Sequence, residues 1–280
     1  MFIDRRFDIV GAGKELDSNG AQTAFTELEI YLNKSIERIS QEYWHYRETE
    51  EKERENIIIQ TDDREEVLNY YRTSSHFLYS LLYWEALRAK QNEFKKLYLG
   101  CRKFKINRLL DFGGGIGGLS IFMSQRGLRC DYLDVPGKSF DFAQWRFNRR
   151  NLRNSLYSDS RSLPDLAYDA VVAYDVLEHL FDIEEAIKEI GRTLKNHGYF
   201  ISRSSFATRG AMHLPKNEKF KDMKIFDAVM TKSNFSFLGQ LKPDYFSHFL
   251  KNLDFKNFLY GVRIKKRLKY GGNFIVYQKL

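Results

Sequence analysis

Cysteine is almost missing from this chain: Cys101 and Cys130 are the only two in 280 residues. Two lone thiols supply neither a disulfide framework nor the clustered spacing of a thiolate metal site, so a reducing, cytoplasmic setting with both thiols packed is expected. Proline is nearly as scarce, four in all, and none lies in the first hundred residues. That absence leaves the stretch free to run as helix. No apolar run approaches the ~18 residues that cross a bilayer, and the opening "MFIDRRFDIV" has no apolar core of a secretion signal. No membrane span and no leader are therefore expected. There is also no internal repeat.

What is present reads as globular, with 43% hydrophobic and 29% charged residues. The length suits one α/β domain with an appendage. The net charge of +8 is uneven: residues 1–100 carry 14 Lys/Arg against 19 Asp/Glu, and the remainder 31 against 18. A basic excess of that kind marks a nucleic-acid surface, a pocket for a small anion, or only a solvated face.

The first hundred residues show helical periodicity. Phe25, Leu28, Leu32, Ile36, Ile39, Tyr43 and Tyr46 recur at steps of three and four, one stripe on a long helix. The charged run "RETEEKERE" continues or links it. Asp62 and Glu65 have capping-box spacing and open a second helix, dense in Tyr70, Tyr71, Phe77, Tyr79, Tyr83 and Trp84. Such aromatics build core or line a pocket. "IVGAGKE" has no strand–helix frame and reads as a turn.

From Ile106 short apolar runs alternate with helices, the pattern of a parallel sheet. "INRLLDF", "RCDYLDV", "SLYSD", "AYDAVVAYDV" and "YFISRSSF" are the expected strands. "LSIFMSQRG" and "SFDFAQWRFNRRN" are expected helices, and "IEEAIKEIGRTLKNHG" a third, stopped by Gly198. Residues 207–254 read as irregular, then helical. "FKNFLYGVRI" and "GGNFIVYQKL" close the chain as two β runs, antiparallel to each other.

The stretch "LLDFGGGIGG" carries two overlapping patterns. G-x-G-x-x-G at Gly113, Gly115 and Gly118 belongs to dinucleotide sites; D-x-G-x-G-x-G adds Asp111 and Gly117 and points elsewhere. Either ligand would use the bare backbone, the helix N-terminus and Asp134 at the second strand end for a ribose. Asp111 discriminates. Its carboxylate would repel a pyrophosphate but attract an ammonium and a sulfonium, by about 1–3 kcal/mol when partly desolvated.

With those residues in place, 106–206 resemble the class I S-adenosylmethionine-dependent methyltransferases. "LLDFGGGIGG" fits their first motif, "YLDV" their acidic second-strand end and "YDAVVAYDVLEHL" their fourth-strand segment. The resemblance implies an α/β, Rossmann-like, doubly wound, seven-stranded and mostly parallel sheet, its last strand antiparallel. It implies S-adenosyl-L-methionine as cofactor. Gly113, Gly115 and Gly117 would line its methionine and ribose side, Asp111 would serve the amino end through water, and Asp134 the ribose. Asp159 with Ser160 would meet the adenine edge, and Tyr174 would complete the cofactor contacts. Pro136 and Gly137, kinking the chain after Asp134, depart from the family pattern.

Methyl transfer from a sulfonium needs alignment, and a base where the acceptor carries a proton, but no catalytic triad. The base candidates are His179 and His213. Asp175, Glu178 and His179 in "DVLEH" have two further readings: a capping pair with a packed imidazole, or, with His213, a divalent-ion site, as in some small-molecule and RNA methyltransferases with E-x-x-E-H here. The helix bearing Arg146, Arg149, Arg150 and Arg153 has a basic face, and "RIKKRLK" a basic hairpin, without interleaved aromatics.

These readings assign residues 1–105 to a helical N-terminal cap and substrate-binding region. Residues 106–280 form the cofactor-binding methyltransferase domain, with 207–254 as a substrate-side insertion. The expected enzyme methylates O or N of a small-molecule metabolite in a biosynthetic or natural-product pathway. Rival readings are an RNA or protein methyltransferase, a protein that binds the cofactor without catalysis and, remotely, an NAD(P)-dependent oxidoreductase. A homodimer through the N-terminal helices is expected, with no membrane partner.

Overall fold

The computed structural model describes residues 18–42, 45, 63–206, 213–241, 259–260 and 273–280. "IVGAGKE", Tyr43, Tyr46, "RETEEKERE", Asp62 and "RIKKRLK" lie outside them. The described chain sorts into two compact units. One is helical and comprises residues 1–95, 115–118 and 135–152; the other holds the sheet, from 96–114, 119–134 and 153–280.

In the helical unit, α1 (Ser18–Leu32), α2 (Arg64–Thr73) and α3 (His76–Ala86) join α6 (Lys138–Arg149). The single long helix expected through Ile39 is broken. Asn33 takes a left-handed φ of 51°, a conformation asparagine tolerates at a helix end. Ser35 Oγ then accepts the Arg38 N–H at 3.4 Å as the next helical segment starts. The aromatic helix is divided too. Ser74 Oγ accepts the His76 N–H at 3.1 Å, so the serine pair restarts the chain as α3. The cap of α2 is Asp63, whose Oδ1 accepts the Glu65 N–H. Leu28, Leu78, Leu82 and Phe142 form the buried core of this unit with Tyr79 and Tyr83, whereas Trp84 is exposed and Tyr71 stacks on Phe77 at 4.9 Å.

Gly137 explains the kink after Asp134. Its φ is 153°, and a Cβ there would meet the Arg72 Cα at 2.7 Å and the Arg72 carbonyl oxygen at 2.6 Å. Only glycine lets the start of α6 run this close to the end of α2.

The sheet unit includes β1 (Arg108–Phe112), α5 (Gly118–Ser124, its first residue grouped with the helices), β2 (Arg129–Leu133), β3 (Leu156–Tyr157) and β4 (Tyr168–Tyr174). It continues through α7 (Ile183–Thr193), β5 (Leu194–Arg203), α8 (Met223–Lys232), β6 (Phe235–Leu241), β7 (Leu259–Tyr260) and β8 (Ile275–Lys279). Helix α4 (Arg88–Lys103) precedes β1. The strand order is β3-β2-β1-β4-β5-β8-β6-β7. Pairs among β1 to β5 are parallel, and β8 runs antiparallel to both β5 and β6. The Rossmann-like sheet with an antiparallel last strand is thus present, extended at its edge by the two-residue β7.

Three local expectations are corrected. Among the described residues the two terminal β runs do not pair with each other: β7 and β8 both pair with β6. Strand β6 itself comes from the segment expected to be irregular and helical; Phe235 and Gly239–Leu241 sit on it with Phe235 and Leu241 buried. Helix α7 ends at Thr193, before Gly198, because Leu194 already pairs with Tyr168. Residues between Leu194 and Tyr199 then bulge from the ladder, with His197 at φ 63°. Strands β1 and β4 are buried along nearly their whole length, as central strands of a parallel sheet covered on both faces are, and β1 carries the buried Asp111.

Candidate active site

At the carboxyl end of β1 the chain enters the glycine turn. Gly113, Gly115 and Gly117 all have positive φ, 74°, 56° and 80°. The N–H groups of Gly113 and Gly114 both donate to the Leu133 carbonyl, at 2.8 and 3.0 Å, which ties the turn to the end of β2. Asp111 is buried, and its Oδ2 accepts the Ser120 N–H at 3.1 Å and the Ser120 hydroxyl at 2.8 Å. It therefore braces the first turn of α5. Burial and the nearby Asp111 charge also push the Cys130 thiol well above its ordinary value, so Cys130 is a packed thiol, as is Cys101, pushed up to about 12 by burial.

Asp134, half-buried, follows β2, and its N–H donates to the Tyr157 carbonyl at 3.2 Å. After β3, Asp159 caps the short 3-10 turn Ser160–Ser162. Its carboxylate takes the Arg161 guanidinium at 2.6 Å, and that hydrogen bond holds it below the usual carboxylate range.

At the carboxyl end of β4, the Tyr174 hydroxyl accepts from Arg203 Nη1 at 2.8 Å. Asp175 then takes a left-handed φ of 54°, strained for a residue with a side chain. It caps no helix. The 3-10 turn Leu177–His179 has no side-chain cap, and α7 is capped by Asp182, whose Oδ1 accepts the Glu185 N–H at 2.9 Å. The capping reading of Asp175 and Glu178 thus fails, because the chain turns before a helix can start.

Glu178 has a different task. It is 1% exposed; its Oε1 accepts the Ser205 N–H at 2.7 Å, while Oε2 has no hydrogen-bond partner among the described residues. His179 and His213 stand edge-to-face, centroids 5.1 Å apart. Ligating atoms of Glu178, His179 and His213 all lie within 4.8 Å of one another; Asp175 is not of this group. His213 arrives from a separate segment, and two contacts hold it there. The Leu214 N–H donates to the Glu178 carbonyl at 3.0 Å. Buried Asn217 donates through Nδ2 to the carbonyls of Leu177, Glu178 and Leu180, at 3.4, 3.2 and 2.8 Å. An imidazole pair beside a buried carboxylate can accept a proton, and the same three groups can hold a divalent cation.

Residues 110–200 match a family model described as a methyltransferase domain. Over those residues the chain carries a methyltransferase domain. A curated relative, the uncharacterized methyltransferase YcgJ of Bacillus subtilis, is 24% identical over 105 residues. That match takes in 36% of this chain and 42% of the relative's own length. Among solved structures, a candidate sarcosine dimethylglycine methyltransferase from Galdieria sulphuraria is similar with a TM-score of 0.50 at 16% identity, covering 70% of this chain and 88% of the other. A magnesium protoporphyrin IX methyltransferase from Synechocystis with bound SAM has a TM-score of 0.46 at 14% identity, covering 74% and 85%.

Within the methyltransferase domain and the residues flanking it, Asp111, Gly113, Asp134, Asp159, Ser160, Tyr174, His179 and His213 fall in the sheet unit, and Gly115 and Gly117 in the helical unit. His179 and His213 are brought together although 34 positions separate them. Three residues of the methyltransferase domain's surroundings escaped sequence reasoning: Ser120, Ser205 and Asn217. Ser120 carries the one readable signal, a small hydroxyl residue in the first turn after a glycine loop. Ser205 acts through its main chain, which no residue type reveals.

Proposed function

We propose that the protein is an S-adenosylmethionine-dependent methyltransferase acting on O or N of a small-molecule acceptor in a biosynthetic pathway. The observation that carries this reading is the sheet order. A glycine turn follows β1 and an acid follows β2, inside a parallel sheet closed by an antiparallel β8 between β5 and β6. The cofactor's ribose would engage Asp134, and Gly113, Gly115 and Gly117 offer backbone without side chains for the methionine end. Asp111, already bonded to Ser120, would act on the ammonium through water and by its charge. Asp159 would release Arg161 to meet adenine beside Ser160, and Tyr174 would complete the cofactor contacts. When bound, the cofactor supplies an activated methyl group; the chain's own residues orient the acceptor and take its proton. His179 and His213 are the groups for that proton.

Calorimetric titration with S-adenosylhomocysteine and separately with NADH tests the cofactor. Micromolar affinity for the first, weakened at least tenfold by Asp134→Ala, supports the reading; binding of NADH instead overturns it in favour of an oxidoreductase. An RNA acceptor is disfavoured by the ion pairing of α6, where Arg146 and Arg150 are held by Glu27 and Glu85. RNA affinity falling steeply with salt would reverse that preference.

A second reading has its own observation, the orphaned Glu178 Oε2 beside two imidazoles. Glu178, His179 and His213 would hold Mg²⁺, Mn²⁺ or Zn²⁺, which would polarise the acceptor oxygen. Activity abolished by EDTA and restored by one of these ions supports the metal; activity indifferent to EDTA leaves the histidine base.

A further inference from the structure

The tip of the glycine turn rests on buried charges of the helical unit. Arg146, on α6, is 1% exposed. Its Nη1 and Nη2 donate to the two carboxylate oxygens of Glu85 on α3, at 2.8 and 2.6 Å, and its Nε donates to Glu27 Oε2 on α1 at 2.9 Å. Arg150 Nε closes the cluster on Glu27 Oε1 at 2.6 Å. Arg146 Nη1 also donates to the main-chain carbonyl of Ile116, at 2.8 Å. Ile116 lies between Gly115 and Gly117, both in left-handed conformations.

A buried charge cluster is poor value as stability alone, since apolar side chains of similar volume hold helices together as well or better. The geometry gives this one another use. The Ile116 side chain is anchored in the buried core of the helical unit, and a charged, fully buried donor fixes its carbonyl between the two glycines. Glu85 holds that donor in bidentate form, which sets the plane of the guanidinium. The same carboxylate lies against Gly118, where a Cβ would be 2.7 Å from the Glu85 carboxyl carbon. Gly118 completes the G-x-G-x-x-G pattern, and here its missing side chain is accounted for by Glu85 rather than by a pyrophosphate.

We infer that Glu85 and Arg146 are positioning residues for the cofactor turn, so that cofactor affinity depends on α3 and α6 through the Ile116 carbonyl. The inference rests on the cofactor reading above, but it can be measured apart from it. The variants are Glu85→Gln and Gly118→Ala, which disturb the arm of the cluster at the turn, and Glu27→Gln, which disturbs the arm away from it. For each, melting temperature, S-adenosylhomocysteine affinity and amide exchange of residues 113–120 without ligand are measured. Glu85→Gln and Gly118→Ala are expected to weaken S-adenosylhomocysteine at least tenfold and to speed exchange in the turn. Glu27→Gln is expected to lower the melting temperature yet keep affinity within twofold. Gly118→Ala serves alone if Glu85→Gln does not fold. Equal losses of affinity for Glu27→Gln and Glu85→Gln at equal melting temperature, or unchanged exchange in the turn in the variants disturbed there, overturn the inference. A wild-type protein that does not bind S-adenosylhomocysteine overturns the cofactor reading alone, and the exchange comparison still decides the positioning role.

Discussion

Asn217 shows how much one buried amide can organise. Its side chain donates to three carbonyls of the turn that carries Glu178 and His179, and it lies four positions after His213. Replacing it with alanine removes this shared donor, at a cost of about 1–3 kcal/mol, while the carbonyls of Leu177 and Glu178 keep the N–H groups of Leu180 and Leu214. It should also let the two imidazoles part. On the role proposed for His179 and His213, Asn217→Ala is expected to lower kcat roughly tenfold or more, with S-adenosylhomocysteine affinity unchanged. Steady-state kinetics beside calorimetry checks this. The residue types of this site were legible in "DVLEH" and His213, whereas Asn217 was not. A single asparagine in "GAMHLPKN" has no signature, because its role depends on carbonyls about 40 positions earlier. Asp111 stands out in the sequence as an acid just before the glycine turn, yet its bond to Ser120 depends on where α5 begins.

Among the elements, the close approach of α2 and α6 rests on one missing Cβ. Gly137→Ala would force the Arg72 backbone away, and overpacking of this kind costs about 1–3 kcal/mol. A lower urea midpoint with unchanged slope is the expected result. At the amino end of β1, Asp169 Oδ2 accepts the N–H groups of Asn107 and Arg108, at 2.9 and 2.8 Å, and Oδ1 takes Lys195 Nζ at 2.6 Å. Partial burial raises its pKa, but these bonds outweigh that and hold it below the ordinary carboxylate value. Its contribution to stability is therefore present at neutral pH and is lost as pH falls through the depressed folded value. Melting temperatures followed from pH 6 to pH 2 should fall less steeply for Asp169→Asn than for the wild type. Strand periods and the start of α7 at Ile183 could be read directly from the sequence, but its cap could not: Asp175 and Glu178 have the capping spacing, and Asp182 does the capping. The end of α7 could not: "TLKNHG" continues a helical pattern, and only pairing of Leu194 with Tyr168 stops it.

For the whole molecule, the sequence divides more simply than the structure does. Composition and periodicity change near Ile106, as expected of a helical segment followed by a sheet. The compact units instead interleave, since residues 115–118 and 135–152 group with the first 95. Long-range ion pairs such as Arg146 with Glu27 leave no local pattern, so the sequence shows a basic face on α6 but not the carboxylates that meet it. A chain lacking residues 1–95 would leave Arg146 without both carboxylates and Phe142 without its core partners. An uncompensated buried charge of that kind costs about 3–5 kcal/mol. Such a truncation is expected to bind a hydrophobic dye and to lose its cooperative thermal transition, measured by fluorescence and calorimetry.

The span of those ion pairs also bears on the order in which the chain acquires its structure. Glu27 and Arg146 are 119 residues apart, and Glu27 and Arg150 are 123 apart. Helices α1 to α3 are local in their hydrogen bonds and can form early, on the microsecond scale of isolated helices. Their unit can close only once α6 has arrived, after β1, α5 and β2 in the chain. Closing a loop of that length is slow compared with helix formation. In stopped-flow refolding, helical signal should therefore appear well before the fluorescence of Trp145, which sits on α6 beside Tyr31 of α1.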